Sequence, residues 1–260
     1  MKVNCSLVFV FLFLQGFSQN IYKTLLHDKG ADVLNDKQVS EITTLITSYT
    51  EEGTEIVKDI TTLNDHHKIV SCIRYNDKDS LKSKLIRSFD ETGLRSLSAK
   101  RETWNKMLGY SSETSKYQYD QKGNIIKMIE SNNFNIIMRE VMINNNEKGD
   151  PIAISIERPK SKPSGFIEIA EYDYPNNTVI TKLLDPEGNI LKRDYLSLDG
   201  DIIKLEKSYD QQGKLIKPDA YEYEYKYDEK QNWVEKRVYK VENGKRIKHQ
   251  TFIRTIRYNS

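Results

Sequence analysis

The sequence predicts an all-β fold of repeated antiparallel hairpins, forming an extended twisted sheet or an open β-spiral. Three observations predict it. A turn-forming unit recurs along the chain, the segments between its copies alternate or are strand-like, and no long stretch carries the helical period of 3.6 residues.

The unit reads aromatic or large apolar, Asp or Asn, two polar residues, Gly, a polar residue, then apolar-x-Lys. Its clearest copies are YDQKGNIIK from Tyr119, LDPEGNILK from Leu184 and YDQQGKLIK from Tyr209. Looser copies are FDETGLR from Phe89, NNEKGDPI from Asn145 and the shorter LDGDIIK from Leu198, with YTEEGTEI from Tyr49 the weakest. In YDEKQNWVEK from Tyr227 a glutamine stands at the glycine position, and in YNDKDSLK from Tyr75 an aspartate does. The chemistry is that of a hairpin turn. Asp or Asn bonds to nearby backbone groups, and Gly adopts the positive φ that other residues resist. Such loops join antiparallel strands, commonly with a bulge at the glycine.

Along the chain, residues 1–19 read as a secretory signal peptide. Lys2 supplies the positive start, Leu7 to Leu14 an unbroken apolar run, and Gln15-Gly16 the break, with cleavage expected near Ser18 to Asn20. That run is shorter than the roughly 20 residues a spanning helix needs, and no later segment reaches that length. Cys5 precedes the run, so lipid anchoring through it is not expected. Residues 20–109 form a β lead-in with degenerate repeats, including a short helix expected around Ala31 to Asp36. Residues 110–260 form the clearer repeat region, continuous with the lead-in. Within both, IVSCIRY, TVITKLL, YEYEYKY and the segment from Trp233 to Val241 read as strands. Edge strands invite unwanted pairing, and Lys248, Arg254 and Arg257 are expected to guard the last one.

YDQKGNIIK and its relatives resemble the YD repeats of the Rhs family, and the chain is similar to small exported bacterial proteins built from degenerate copies. YEYKYDEKQNWVEKRVYKVENGKRI resembles the closing unit of such proteins, and the resemblance runs from about Tyr49 to Tyr258. It implies a β-rich spiral wall in the large family members. In a chain of this length it implies an open, elongated sheet. It also implies an exported address: periplasm, outer surface or exterior of a Gram-negative bacterium.

Alternation puts Tyr221, Tyr223, Tyr225 and Tyr227 on one face of a strand and Glu222, Glu224 and Lys226 on the other. Trp233 opens the returning strand, so the rings can pair across the hairpin. Packing is the expected role of these rings. Exposure as a sugar-stacking surface is the alternative, and Tyr221, Tyr223, Tyr225 and Trp233 are the candidate binding residues. Trp104 is the other candidate ring, expected to be packed.

The chain carries 40 basic and 38 acidic residues, a net charge of +2, which argues against a nucleic-acid binder. The charge is uneven: Asp28 to Asp65 holds nine acidic and three basic residues, Lys230 to Ser260 nine basic and two acidic. Cys72 is the one cysteine after the signal, so no internal disulfide is expected, and it reads as a small buried hydrophobe. His66 and His67 are adjacent and on a strand would face opposite ways, which excludes joint chelation. HExxH, paired CxxC, GxSxG and phosphate-cradling glycine loops are absent. Asp120, Asp185 and Asp210 have turn duties, and the EF-hand ligand order is missing. An N-x-T site stands at Asn176.

No enzyme, metal or cofactor is therefore expected. Three function classes remain: a binding or scaffold protein of the cell envelope, a carbohydrate-binding module, and an immunity or antitoxin-like partner of a secreted toxin. A glycan or an envelope protein is the expected partner class.

Overall fold

The computed structural model describes residues 20–25, 27, 30–31, 33, 38–159, 166–198, 220–242 and 244–259. The signal-peptide reading, most of LDGDIIK and all of YDQQGKLIK, with Asp210, lie outside the described residues.

Among the described residues one turn is built eight times. In each, an Asp or Asn accepts on its backbone carbonyl the N–H of the residue three positions later; its own N–H closes the loop. The first residues are Asn64, Asn76, Asp90, Asp120, Asn132, Asn146, Asp185 and Asp228. The residue three positions on has positive φ every time: Gly93, Gly123, Gly149 and Gly188, but also His67, Asp79, Asn135 and Gln231. The side-chain oxygen then takes a further amide, as from Asn124 to Asp120 (2.8 Å), Asn189 to Asp185 (2.7 Å) and Asn232 to Asp228 (2.9 Å). In seven of the eight this is a three-residue hairpin loop in which a type I turn is followed by a left-handed residue; at Asp90 the closing N–H reaches Arg95, one residue further. Two copies, Asn64-Asp-His-His and Asn132-Asn-Phe-Asn, lack glycine and escape the sequence pattern. YTEEGTEI instead makes a two-residue turn between Thr50 and Gly53.

These turns, together with other connections, join fifteen strands among the described residues: β1 (Val39–Thr50), β2 (Gly53–Leu63), β3 (Ile69–Asn76), β4 (Leu81–Phe89), β5 (Ser96–Asn105), β6 (Gly109–Tyr119), β7 (Ile125–Asn132), β8 (Ile137–Asn145), β9 (Pro151–Glu157), β10 (Ile167–Asp173), β11 (Thr178–Leu184), β12 (Ile190–Ser197), β13 (Ala220–Tyr227), β14 (Trp233–Glu242) and β15 (Lys245–Tyr258). They form one open antiparallel sheet in the order β12 through β1, then β15, β14, β13. The all-β expectation is met. The one described helix is α1, Asn20–Leu25. Ala31 and Val33, inside the helix expected at 31–36, are not helical.

The expected edge guards need correction. β15 pairs with β1 on one side and β14 on the other, so it is an inner strand. The reason is topological: β1, the first strand of the long meander, pairs with β15, which leaves β12 and β13 as the outermost strands among the described residues. Arg254 and Lys248 accordingly cover rings, at 3.3 Å over Trp233 and 4.4 Å over Tyr49.

The chain divides into two compact units. One comprises Met1–His27, Tyr119–Met128 and Arg139–Pro218; the other Asp28–Gln118, Ile129–Met138 and Asp219–Ser260. In the first, α1 packs on β9 and β10. Its Ile21 is fully buried, and the sheet contributes Val141 opposite Ile156, Ile143 opposite Ile154 and Val179 opposite Leu196. Period-two alternation gives this unit one apolar covered face. In the second unit the buried apolar side chains are few: Val39, Ile42, Ala99 and Val238. Cross-strand polar pairs take a larger share there. Arg74 grips Asp59, itself buried, through two parallel bonds of 2.7 and 2.6 Å.

Each unit repeats one clasp at its turns. In the first unit the Tyr174 hydroxyl donates to Asp150 (2.6 Å) and accepts from Asn146 (2.8 Å), while Lys148 sits 3.4 Å over the ring. In the second, Tyr258 donates to Asp228 and accepts from Asn232 (3.0 Å), with Lys230 at 3.7 Å.

The turn geometry makes two stability tests. A Cβ on Gly149 would meet Asn124 Oδ1 at 2.2 Å, whereas one on Gly188 would meet nothing within 4 Å, though both residues have positive φ. Gly188→Ala should cost about 1 kcal/mol for the left-handed backbone. Gly149→Ala should cost about 1 kcal/mol more, because Asn124 must release Asp120. Urea unfolding of the two variants checks the difference.

The second test is acid. Amide bonds from Asn124 hold the Asp120 carboxyl below its ordinary value, and the Asn189 side chain does the same for Asp185. Both folded values lie below the unfolded ones, so this stabilisation is complete above the unfolded value, about 3.9, and is lost as pH falls through the folded value. Asn keeps the turn acceptor without titrating. The double variant Asp120→Asn/Asp185→Asn should lose less stability than the native chain between about pH 5 and pH 2. Parallel melting curves across that range would read it.

Candidate binding surface

Among the described residues the tyrosine strand β13 is outermost in the sheet and pairs only with β14. The register sets Tyr221 opposite Lys240, Tyr223 opposite Val238, Tyr225 opposite Lys236 and, after a bulge, Tyr227 opposite Trp233. Opposite residues share a face, so the rings and Trp233 lie together as the alternation required. Tyr223 and Tyr225 stack at 6.4 Å, Tyr225 and Tyr227 at 6.2 Å, and Trp233 meets Tyr225 edge-on at 6.2 Å. Tyr221 leans on His249 at 5.4 Å. Lys236 sits 5.0 and 5.4 Å from the Tyr223 and Tyr225 ring centres.

Tyr221, Tyr223 and Trp233 are half-buried, whereas Tyr225 is 37% and Tyr227 56% exposed. The rings lean on one another along the strand, so their faces are turned mostly toward neighbours. Arg254 covers the Trp233 ring. A flat sugar platform needs outward faces, and Tyr227 at the end of the ladder is the ring most open to solvent.

The opposite face of β13 is a charge lattice. Arg246 bridges Glu222 (2.8 Å) and Glu224 (2.7 Å), and Glu235 holds both Lys226 (2.6 Å) and Arg237 (2.5 Å). Glu224, Tyr225, Lys226, Glu235 and Arg237 line a shallow hollow of about 180 Å³. Arg246 holds the Glu224 carboxyl below its ordinary value, and Lys226 does so for Glu235. Two carboxylates both held ionised suit charge pairing better than proton transfer near neutral pH.

The remaining candidates sit apart from this surface. Cys72, half-buried on β3, receives a 3.5 Å bond from the Thr61 hydroxyl, and burial pushes its thiol up. His66 and His67 lie in the β2–β3 turn rather than on a strand. His67 is buried and faces the Val39 amide at 3.5 Å. Trp104 is half-buried against Tyr110 at 5.4 Å. Among the described residues no group of three or more His, Cys, Asp or Glu side chains is placed to hold a metal ion. Nor is any described helix long and apolar enough to cross a membrane. Sequence reasoning missed Met107, Leu108 and Phe134, which are 93%, 85% and 74% exposed at turn tips. The signal was present in NKMLG and NNFNI, two turn sequences without an acidic residue.

The ladder predicts a graded response to truncation. Trp233→Ala removes a ring held between Tyr225 and Arg254 and should cost about 2–3 kcal/mol. Tyr227→Ala, at the exposed end, should cost about 1 kcal/mol or less. Equal losses in chemical denaturation would contradict the graded burial.

No family model and no curated protein matches the chain. Among solved structures, a porin-like protein from Bacteroides uniformis is similar over 84% of this chain and 98% of its own, at 11% identity and a TM-score of 0.49. The TcdB2-TccC3-TEV structure is similar over 70% of this chain, at 10% identity and a TM-score of 0.19. The Tc holotoxin pore of Photorhabdus luminescens is similar over 69%, at 10% identity and a TM-score of 0.18. The chain spans about 15% of the length of each of those two toxin chains. These likenesses assign neither a family nor an activity.

Proposed function

We propose that this chain is a non-catalytic, exported β-repeat protein that serves as a binding or scaffold module of the bacterial envelope, with the β13 edge as its contact element. The apolar, lysine-led N-terminus supports export, and the repeat resemblance supports the envelope class. One observation carries the assignment of the surface. β13, the outermost strand on its side among the described residues, displays Tyr225 and Tyr227 on one face and exposed Glu222, Glu224 and Lys226 on the other. A strand flanked by one described partner, with alternate side chains of two chemistries, suits the addition of an extended segment to a sheet. Stacking on glycans is less well supported, because the ladder rings turn toward each other.

The test uses the chain from Asn20 onward against solubilised envelope proteins and, separately, a glycan array. The variant Tyr225→Ser/Tyr227→Ser removes two exposed rings and should keep its fold by circular dichroism. Capture of an envelope protein should fall at least about tenfold in the variant. A glycan signal lost in the variant would replace this reading with the carbohydrate one, and capture unaffected by the variant would remove β13 from the contact.

A further inference from the structure

Two turns differ from all the other complete ones. Elsewhere the connections carry an acidic residue or are closed by one: Glu51 and Glu52, Asp65, Asp77, Glu91, Asp120, Glu147, Asp173 at the end of β10, Glu187 and Glu229 among them. Residues 105–109 (NKMLG), joining β5 to β6, and residues 132–136 (NNFNI), joining β7 to β8, carry none. The same two turns raise large apolar side chains into solvent. Met107 is 93% exposed, Leu108 85% and Phe134 74%, while no other large hydrophobic side chain among the described residues exceeds 56%.

The two tips belong together. β5 to β8 are consecutive in the sheet order, and β5 and β7 run in the same direction. Both turns therefore stand at one end of the sheet, two strand spacings or about 10 Å apart across it. Ser131 Oγ bonds the Thr114 carbonyl, so the β7–β8 tip is set back by about four residues, roughly 13 Å along the strands, and a plane touching both tips is oblique to them. Both also belong to the second compact unit. Each is held rigid by an asparagine. Asn105 Oδ1 accepts the Met107 and Leu108 amides at 2.8 and 3.1 Å, and Asn132 Oδ1 accepts those of Phe134 and Ile136 at 3.0 and 3.1 Å. These tip amides are satisfied without water, a requirement for entering a medium that cannot hydrogen-bond.

Behind the first tip stands a different chemistry. Trp104 and Tyr110 face each other across the β5–β6 pair at 5.4 Å, and the Tyr110 hydroxyl donates to Glu102 at 2.8 Å. Met107 stands three residues on from Trp104, past the end of β5 at Asn105, at most about 10 Å away. That matches the depth of roughly 5–10 Å to which interfacial elements enter a bilayer. Trp and Tyr favour the headgroup level, with apolar groups below. The one charged residue in the two turns is Lys106, which is exposed and suited to anionic headgroups.

We propose that the β5–β6 and β7–β8 tips dip together into the surface of an anionic lipid bilayer, with Met107, Leu108 and Phe134 below the headgroups and Trp104, Tyr110 and Lys106 at their level. The tips are convex, so the surface that fits them is one that deforms around protruding side chains, as lipid does.

The experiment is vesicle sedimentation with the chain from Asn20 onward, which contains every described element and lacks the apolar run at the start. Vesicles of phosphatidylcholine alone are compared with vesicles that also contain phosphatidylglycerol. The native chain should bind the anionic vesicles. The triple variant Met107→Ser/Leu108→Ser/Phe134→Ser should bind at least about tenfold less, with unchanged thermal unfolding, because these side chains touch solvent rather than core. Lys106→Glu should weaken binding about fivefold on anionic vesicles and leave neutral ones unaffected. In a Trp233→Phe background, brominated lipid should quench Trp104. Absence of sedimentation by the native chain, or equal sedimentation by the triple variant, overturns the proposal. Loss of self-association in the triple variant without vesicle binding also overturns it, in favour of a protein contact. Purified lipid contains no envelope protein, so this outcome is independent of the capture experiment on β13.

Discussion

At each shared turn, one short Asp or Asn side chain occupies the backbone amides that a chain reversal leaves open, and a left-handed residue three positions later completes the bend. The loop, three residues long at seven of these turns and four at Asp90, fixes how many residues separate the strands. Side chains alternate with period two, so an uncompensated change of one residue would transfer a whole strand's inner residues to its outer face. The bulges beside several of these turns, as between Leu183 and Leu184 or Lys226 and Tyr227, absorb the remaining offset. Pairing partners, faces and the ring ladder all follow from that count.

The dependence is strong because some of this sheet has little buried surface to fall back on. In the first unit, α1 and a run of Ile and Val side chains give the strands a dry face. In the second, only a few apolar side chains are buried, and stability is spread over pairs worth roughly 0.2–1 kcal/mol each across neighbouring strands. The Asp59–Arg74 pair is one of the stronger of these, being bidentate and shielded on the Asp59 side. The lattice around Glu224 and Arg246 is more exposed and correspondingly weaker per contact. Such a structure gains from repetition, since each hairpin rests on its neighbours.

Much of this was legible from residues alone. Asp or Asn followed by a left-handed position identified the turns at Asp90, Asp120, Asn146, Asp185 and Asp228, and even Asn76, where aspartate replaces glycine. The turns at Asn64 and Asn132 were hidden because His67 and Asn135 fill the left-handed position; Asn does so at modest cost, and His67 is held there by burial and its own bonds. The shared face of Tyr221 to Tyr227 followed from alternation. Its exposure did not, because exposure depends on which strands lie at the edge. That choice was made by pairing Val39 with Tyr258, residues separated by nearly the whole sequence. No local pattern encodes it, and the expectation that Lys248, Arg254 and Arg257 guard an edge failed for this reason.

The same long-range pairing explains the distribution of side-chain chemistry on the outermost described strands. β12 presents Lys192, Arg193 and Asp194 in succession, with Lys192 and Asp194 joined at 2.8 Å, a pattern that discourages added strands. β13 carries a tyrosine at every second position, with Glu222, Glu224 and Lys226 between them, so the two strands are equally charged and differ in the aromatic face of β13. That face and the apolar tips of the β5–β6 and β7–β8 turns are the displays that solubility alone does not require. The physical cost of keeping them is limited. Tyr225 and Tyr227 shelter part of their area against each other, and Met107, Leu108 and Phe134 stand on turns whose amides are already satisfied by asparagine. Exposed apolar groups can therefore sit on a thin sheet without weakening the hairpins that carry them, because the turn bonds and the side-chain display use different atoms of the same loop.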